Sequence, residues 1–136
     1  MKGVFLFSLF ITLTTYQHTD QKLKITRHLT AKSGFQIIEF ENTTVTNFVS
    51  NRKPLRIELY SYKVKSVLNE FNLIDFELLN KEIAETYPIN SNVYPRVYYQ
   101  IIKGNDTIQT KEFLLARIPN SLKRLDKLLF NYSIGM

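Results

Sequence analysis

Cysteine is absent from this 136-residue sequence, which excludes disulfides, thiol catalysis and thiolate metal centres outright. Glycine and proline number only 4 each, too few for a disordered or repeat-built chain. The glycines are scattered at positions 3, 34, 104 and 135, so no glycine-rich phosphate loop exists. Histidine, the usual general base and metal ligand, occurs only as His18 and His28. Along one extended segment those imidazoles stand about 30 Å apart, which argues against a metal site shared with Asp20. Gly-x-Ser-x-Gly, His-Glu-x-x-His and EF-hand patterns are missing too, so catalysis has no constellation to stand on. The reading is of a protein without metal or cofactor that binds rather than catalyses.

Hydrophobic residues make up 44% and charged residues 22% of the chain, the balance of a folded globular domain of ordinary size. The formal net charge is +6, and it is unevenly spread. Segment 17–32 carries +3, 33–62 is neutral, 63–92 carries −2 and 93–136 carries +4, with Lys2 completing the total. The middle is acidic and the two ends are basic, which favours acidic partners if the fold brings those ends together.

The N-terminus reads as a leader: Lys2, an apolar run from Val4 to Leu13, then a polar stop at Gln17-His18-Thr19-Asp20. That run is too short to span a bilayer, which takes about 20 helical residues, but it suits the h-region of a secretory signal. Residues 1–16 are therefore expected to be a signal peptide and the product secreted or periplasmic. The alternative is a retained N-terminal strand in a cytoplasmic protein, since Phe, Ile, Leu and Thr also suit a buried strand. The remaining segment, 17–136, holds no repeat or linker and is expected to be one domain.

Within it, Leu23, Ile25 and Leu29 alternate with Lys22, Lys24, Thr26 and His28, and Arg27 is the single breach of the pattern. Phe35 to Phe40 and Thr43 to Val49 suit two further strands. Leu55 to Tyr62 predicts a strand with Leu55, Ile57 and Leu59 on one face and Arg56, Glu58, Tyr60 and Tyr62 on the other. The period then changes. Val64, Val67, Leu68 and Phe71 form one helical stripe, and Phe76, Leu79, Ile83 and Tyr87 form a second behind an Asp75 cap. Val97 to Ile102 and Thr107 to Ala116 predict a hairpin around Gly104-Asn105-Asp106. Its register pairs either Val97 with Leu114 or Ile102 with Ile108. Asn120 or Ser121 caps a last helix with Leu122, Leu125, Leu129 and Tyr132 buried, and Gly135 follows its end. The expected class is α+β, an antiparallel sheet of about five to six strands packed with two or three helices.

Two groups of residues are candidates for function. Lys22, Lys24, Arg27, Arg52, Lys53, Lys123, Arg124 and Lys127 are candidates for holding a protein or polyanionic partner. Tyr60, Tyr62 and Tyr98, each on a strand face with an arginine, are candidates for an aromatic docking or stacking surface. The signature of an RNA-recognition module is absent. Glu39, Glu58 and His28 are the groups a hydrolase of low motif content would use, provided the fold converges them in a pocket. A structural subunit docking through a tyrosine-rich sheet face is the third reading.

Overall fold

A computed structural model describes residues 22–86 and 93–136 of the chain. The expected leader at 1–16, His18, Tyr87 and most of the polar loop at 88–95 lie outside the described residues. The α+β class holds: among the described residues seven antiparallel strands form one sheet with three α-helices. In chain order these are β1 (Leu23–Ala31), β2 (Gly34–Glu41), β3 (Thr44–Val49), β4 (Leu55–Glu58), α1 (Ser61–Asn72), α2 (Phe76–Thr86), β5 (Arg96–Lys103), β6 (Asp106–Gln109), β7 (Phe113–Leu114) and α3 (Lys123–Ser133). The sheet runs β4-β3-β2-β1-β5-β6, with β7 also on β5. The first and last portions of the chain thus meet at the centre, where β1 pairs with β5.

Three two-residue connections fix the register. Ala31 faces Gly34, Glu41 faces Thr44 and Lys103 faces Asp106 across them. In the last, Gly104 takes φ 60 at the first central position, as a type II′ hairpin turn demands. Ile101 therefore pairs with Ile108, so neither expected register holds next to the turn, and the one that Ile102–Ile108 would set is met only farther along β5. Past Gln109 the pairing slips by one residue, so Val97 faces Phe113. An unbroken register would set Glu112 opposite Val97. The slip is a β-bulge that turns Phe113 into the core instead. Thr110 bridges it: its N–H donates to the Tyr99 carbonyl at 2.9 Å and its hydroxyl accepts from the Tyr99 N–H at 2.9 Å.

One face of the sheet carries the core. Ile25, Ile38, Phe40, Val45, Val97 and Ile101 lie on it and are shut from solvent. The expected helical stripes meet them there: Val67 and Phe71 from α1, Leu79 and Ile83 from α2, Leu125 and Leu129 from α3. Asp75 caps α2 as expected, its Oδ1 accepting from the N–H groups of Glu77 and Leu78. The last helix starts one to two residues later than expected, with Leu122 at the N-cap position and no side-chain cap bond.

The Leu55–Tyr62 strand is shorter than the alternation predicts. β4 ends at Glu58, and Tyr60 already accepts the first helical bonds, from the N–H groups of Lys63 and Val64. The first turn of a helix need not be apolar, so Tyr60 and Tyr62 continued the alternation without belonging to it.

Gly34 shows how tightly one turn is built. Its φ is 146, and a Cβ there would sit 2.0 Å from the Ser50 hydroxyl oxygen, which accepts a hydrogen bond from the Phe35 N–H. Gly34→Ala is expected to cost about 1–3 kcal/mol through backbone strain and the lost bond, read as a lower urea midpoint.

Candidate functional site

Side chains alternate along a strand, so fixing the core face fixes its opposite. On β1 the opposite face presents Lys24, Thr26 and His28. The pairing sets Glu39 and Ile37 beside Thr26 and His28 on one flank, and Gln100 and Tyr98 on the other. Phe48 follows Ile37 on β3. Among the described residues no helix packs on this face. An antiparallel sheet with a solvated side is ordinarily polar there, yet Ile37 and Phe48 are half-buried and Phe35 and Ile102 are 48% and 36% exposed.

The centre of the face is concave. A depression of about 320 Å³ has Thr26 and His28 from β1, Ile37 and Glu39 from β2, and Phe48 from β3 in its lining. Lys24, Gln100 and Ile102 complete it. Its charged members neutralise each other, because Lys24 Nζ lies 2.9 Å from Glu39 Oε1. That hydrogen bond, against a smaller opposing effect of burial, holds the Lys24 pKa above its ordinary value.

The His28 ring lies flat on Tyr98, with centroids 4.4 Å apart and planes 7° from parallel. Its Nε2 is buried with no hydrogen-bond partner among the described residues. Burial lowers the His28 pKa from the ordinary 6.5, with the Glu39 charge opposing. The unfolded chain therefore takes up this proton first. The His28 share of stability is intact above pH 6.5 and declines as pH falls through the lowered folded value. His28→Phe is expected to flatten that part of the stability profile, checked by urea midpoints at about pH 7.5 and about pH 5.

The expected basic residues do not form one patch. Lys22 and Lys24 stand at the start of β1, beside the β5–β6 turn, where the Lys22 carbonyl accepts from Gly104 N–H. Arg52 and Lys53 are exposed in the β3–β4 connection, at the opposite end of the sheet. Lys123, Arg124 and Lys127 are exposed on α3, in the helical layer on the far side, with Arg124 4.0 Å from Glu70.

Arg27 requires a correction. It is 2% exposed on the core face, and its Nε donates to Asp126 Oδ1 at 2.7 Å. Tyr99 donates its hydroxyl to the same oxygen. Arg27 Nη1 reaches Gln36, whose amide reaches Asn47. Burial opposes the Arg27 charge, but Tyr99 and Asp126 outweigh it and hold its pKa above the ordinary value. Arg27 is a core residue that anchors α3 to the sheet, unavailable to a polyanion. The expected tyrosine surface also separates. Tyr60 and Tyr62 stack on each other at the head of α1, 72% and 64% exposed, whereas Tyr98 belongs to the open sheet face.

Of the candidate hydrolytic groups, His28 and Glu39 line the same depression. Glu39 is engaged by Lys24. Glu58, on edge strand β4, accepts from the hydroxyls of Thr43 and Thr44. Among the described residues no group of three or more His, Asp or Glu is placed to hold a metal. What the face presents chemically is an apolar wall, an aromatic stack, a few uncharged polar groups and one ion pair. Phe48, Ile37, Gln100 and Ile102 were missed from sequence as site residues, and only the strand pairing brings them beside His28. No protein-family model matches the sequence, and no curated protein matches it either.

Proposed function

We propose that this protein is an exported, non-catalytic binding domain that presents its uncovered sheet face to a protein partner. The observation that carries this reading is the row Tyr98–His28–Ile37–Phe48, with Phe35 beside it, crossing four strands on a face without a helix among the described residues. Phe35 is exposed and the row beside it half-buried, and contiguous apolar surface left open to solvent marks interaction sites in soluble proteins. A protein partner is favoured over a polyanion because the basic residues occupy three separate regions and Lys24 is paired with Glu39. Export is supported by Lys2 and the apolar run from Val4 to Leu13. The intact mass of the protein from its native host tests it, a product lacking residues 1–16 being the expected result.

The face is tested by incorporating the photo-cross-linker p-benzoylphenylalanine at Phe35 or Ile102, and for comparison at Leu78 or Phe130 on the helical layer, all four being exposed. Irradiation in the native host is expected to give one discrete heterologous adduct from the sheet positions and none from the helical ones. Adducts from the helical positions alone, or an adduct of twice the chain's own mass, would contradict the reading.

A further inference from the structure

Among the described residues the sheet ends on β4 at one side and β6 at the other. Along an antiparallel ladder, hydrogen-bonded pairs alternate with pairs that exchange no main-chain bonds. The Leu59 N–H donates to the Thr43 carbonyl at 2.7 Å, so by alternation the pairs bonded between β3 and β4 are Val45–Ile57 and Asn47–Leu55. Arg56 and Glu58 therefore turn their own N–H and C=O groups away from β3, toward an edge that no described strand covers. A strand edge in that state is a template for another strand. The Arg56 and Glu58 side chains lie opposite Thr46 and Thr44, on the open face, exposed and of opposite sign. Bonds from the Thr43 and Thr44 hydroxyls hold the Glu58 carboxylate in place and lower its pKa, and its oxygens keep lone pairs for a further donor.

We infer that the β4 edge is a homodimer interface, in which β4 of a second copy continues the sheet antiparallel across a two-fold axis. Charge and register together specify that occupant. Of the antiparallel registers that align the outward groups, one sets Arg56 against Arg56 and Glu58 against Pro54, which has no N–H to give. Another sets Glu58 against Glu58. The third, centred on Ile57, sets Arg56 of each copy directly opposite Glu58 of the other. Opposite charges facing across a ladder are favourable and like charges destabilising, so the edge is complementary to itself in a single register. Each Arg56–Glu58 pair then exchanges both main-chain bonds as well as its charges, and an isologous contact of this kind closes after two chains. The same register sets the exposed Leu55 opposite Leu59 and brings Pro54 toward the exposed Tyr60–Tyr62 stack of the other copy. The β6 edge has no such selectivity, because its outward groups belong to the uncharged Thr107 and Gln109. The β4 contact goes beyond the binding face and is separate from it. Phe35 and Ile102 lie two and four strands in from β4, about 10 and 19 Å from that edge, so their photo-adducts stay heterologous in a dimer.

The test is sedimentation velocity of the full chain over a concentration series, where a reversible monomer–dimer equilibrium is expected. Arg56→Glu and Glu58→Arg, made separately, set like charges opposite one another. Each is expected to weaken self-association by about 2- to 30-fold from the lost attractions alone. Mixed in equal amounts, the two variants set glutamates against arginines, and the mixture is expected to recover the association of the parent. Arg56→Pro removes an outward N–H and leaves the β3 ladder whole, as proline on an edge strand can, so it is expected to abolish the dimer in a protein that still unfolds cooperatively in urea. A parent that stays monomeric throughout the series would overturn the inference. So would a single charge reversal that self-associates as the parent does, a mixture of cooperatively unfolding variants that recovers nothing, or a dimer undiminished by Arg56→Pro.

Discussion

Asp126→Ala is expected to destabilise the protein by about 3–5 kcal/mol, the ordinary consequence of leaving one member of a buried ion pair without its partner. The Arg27 guanidinium is 2% exposed and has no route to water when the carboxylate is removed. The Tyr99 hydroxyl, itself fully enclosed, loses its acceptor in the same step. The loss arises from uncompensated burial and not from an intrinsically strong attraction, which makes a second result informative. Replacing the group together, Arg27→Met with Tyr99→Phe and Asp126→Leu, is expected to recover most of the stability, because well-packed apolar replacements of buried pairs are often neutral or better. Urea denaturation of both variants checks the claim. If the single variant lies within about 1 kcal/mol of the parent, the network is solvated and the account of Arg27 is wrong.

Phe113→Ala is the second large effect, expected at about 3–5 kcal/mol from lost burial and the cavity left behind. Phe113 is fully buried and lies against Tyr99, with ring centroids 6.4 Å apart. The bulge at Thr110 has the consequence of delivering it there, so Thr110→Val is expected to be costly as well. It would leave the Tyr99 N–H, now satisfied by the Thr110 hydroxyl, without an acceptor inside the sheet. A small effect of Phe113→Ala would mean that β7 does not close the core.

These two sites also show where sequence reasoning stops. The helical stripes, the Asp75 cap and the core face of the first strand were legible because they depend on spacing within a dozen residues. Arg27 was visible as a breach of its strand's alternation, but its meaning lay in Asp126, 99 positions away. No local pattern announces a partner that distant. The β5–β6 register was undetermined because turn chemistry around Gly104 allowed several pairings, and the later bulge moved Phe113 inward against simple alternation. Tyr60 and Tyr62 were misplaced for the opposite reason, since a local alternation ran on by coincidence into the head of α1.

The candidate site was less legible than the fold. His28, Lys24 and Tyr98 each read as ordinary outward residues of their strands. What makes them a site is that Ile37 and Phe48, from two other strands, extend the same row on a face without helical cover among the described residues. Sheet order and register together produce that row, and neither can be read from one strand alone. The basic ends of the sequence illustrate the converse. They meet in the sheet through β1 and β5, yet their cations point to different regions, and Arg27 is consumed by the core.

On the proposed reading, the core-facing side of the sheet serves stability while the other side serves a partner. It is tested most directly by the yield of the photo-adduct formed from Ile102 when Phe35→Ser and Phe48→Ser are introduced together. Both phenylalanines lie on the open face outside the core cluster, so the fold is expected to persist. The adduct is expected to disappear from a protein that still unfolds cooperatively. An undiminished adduct from that variant would contradict it.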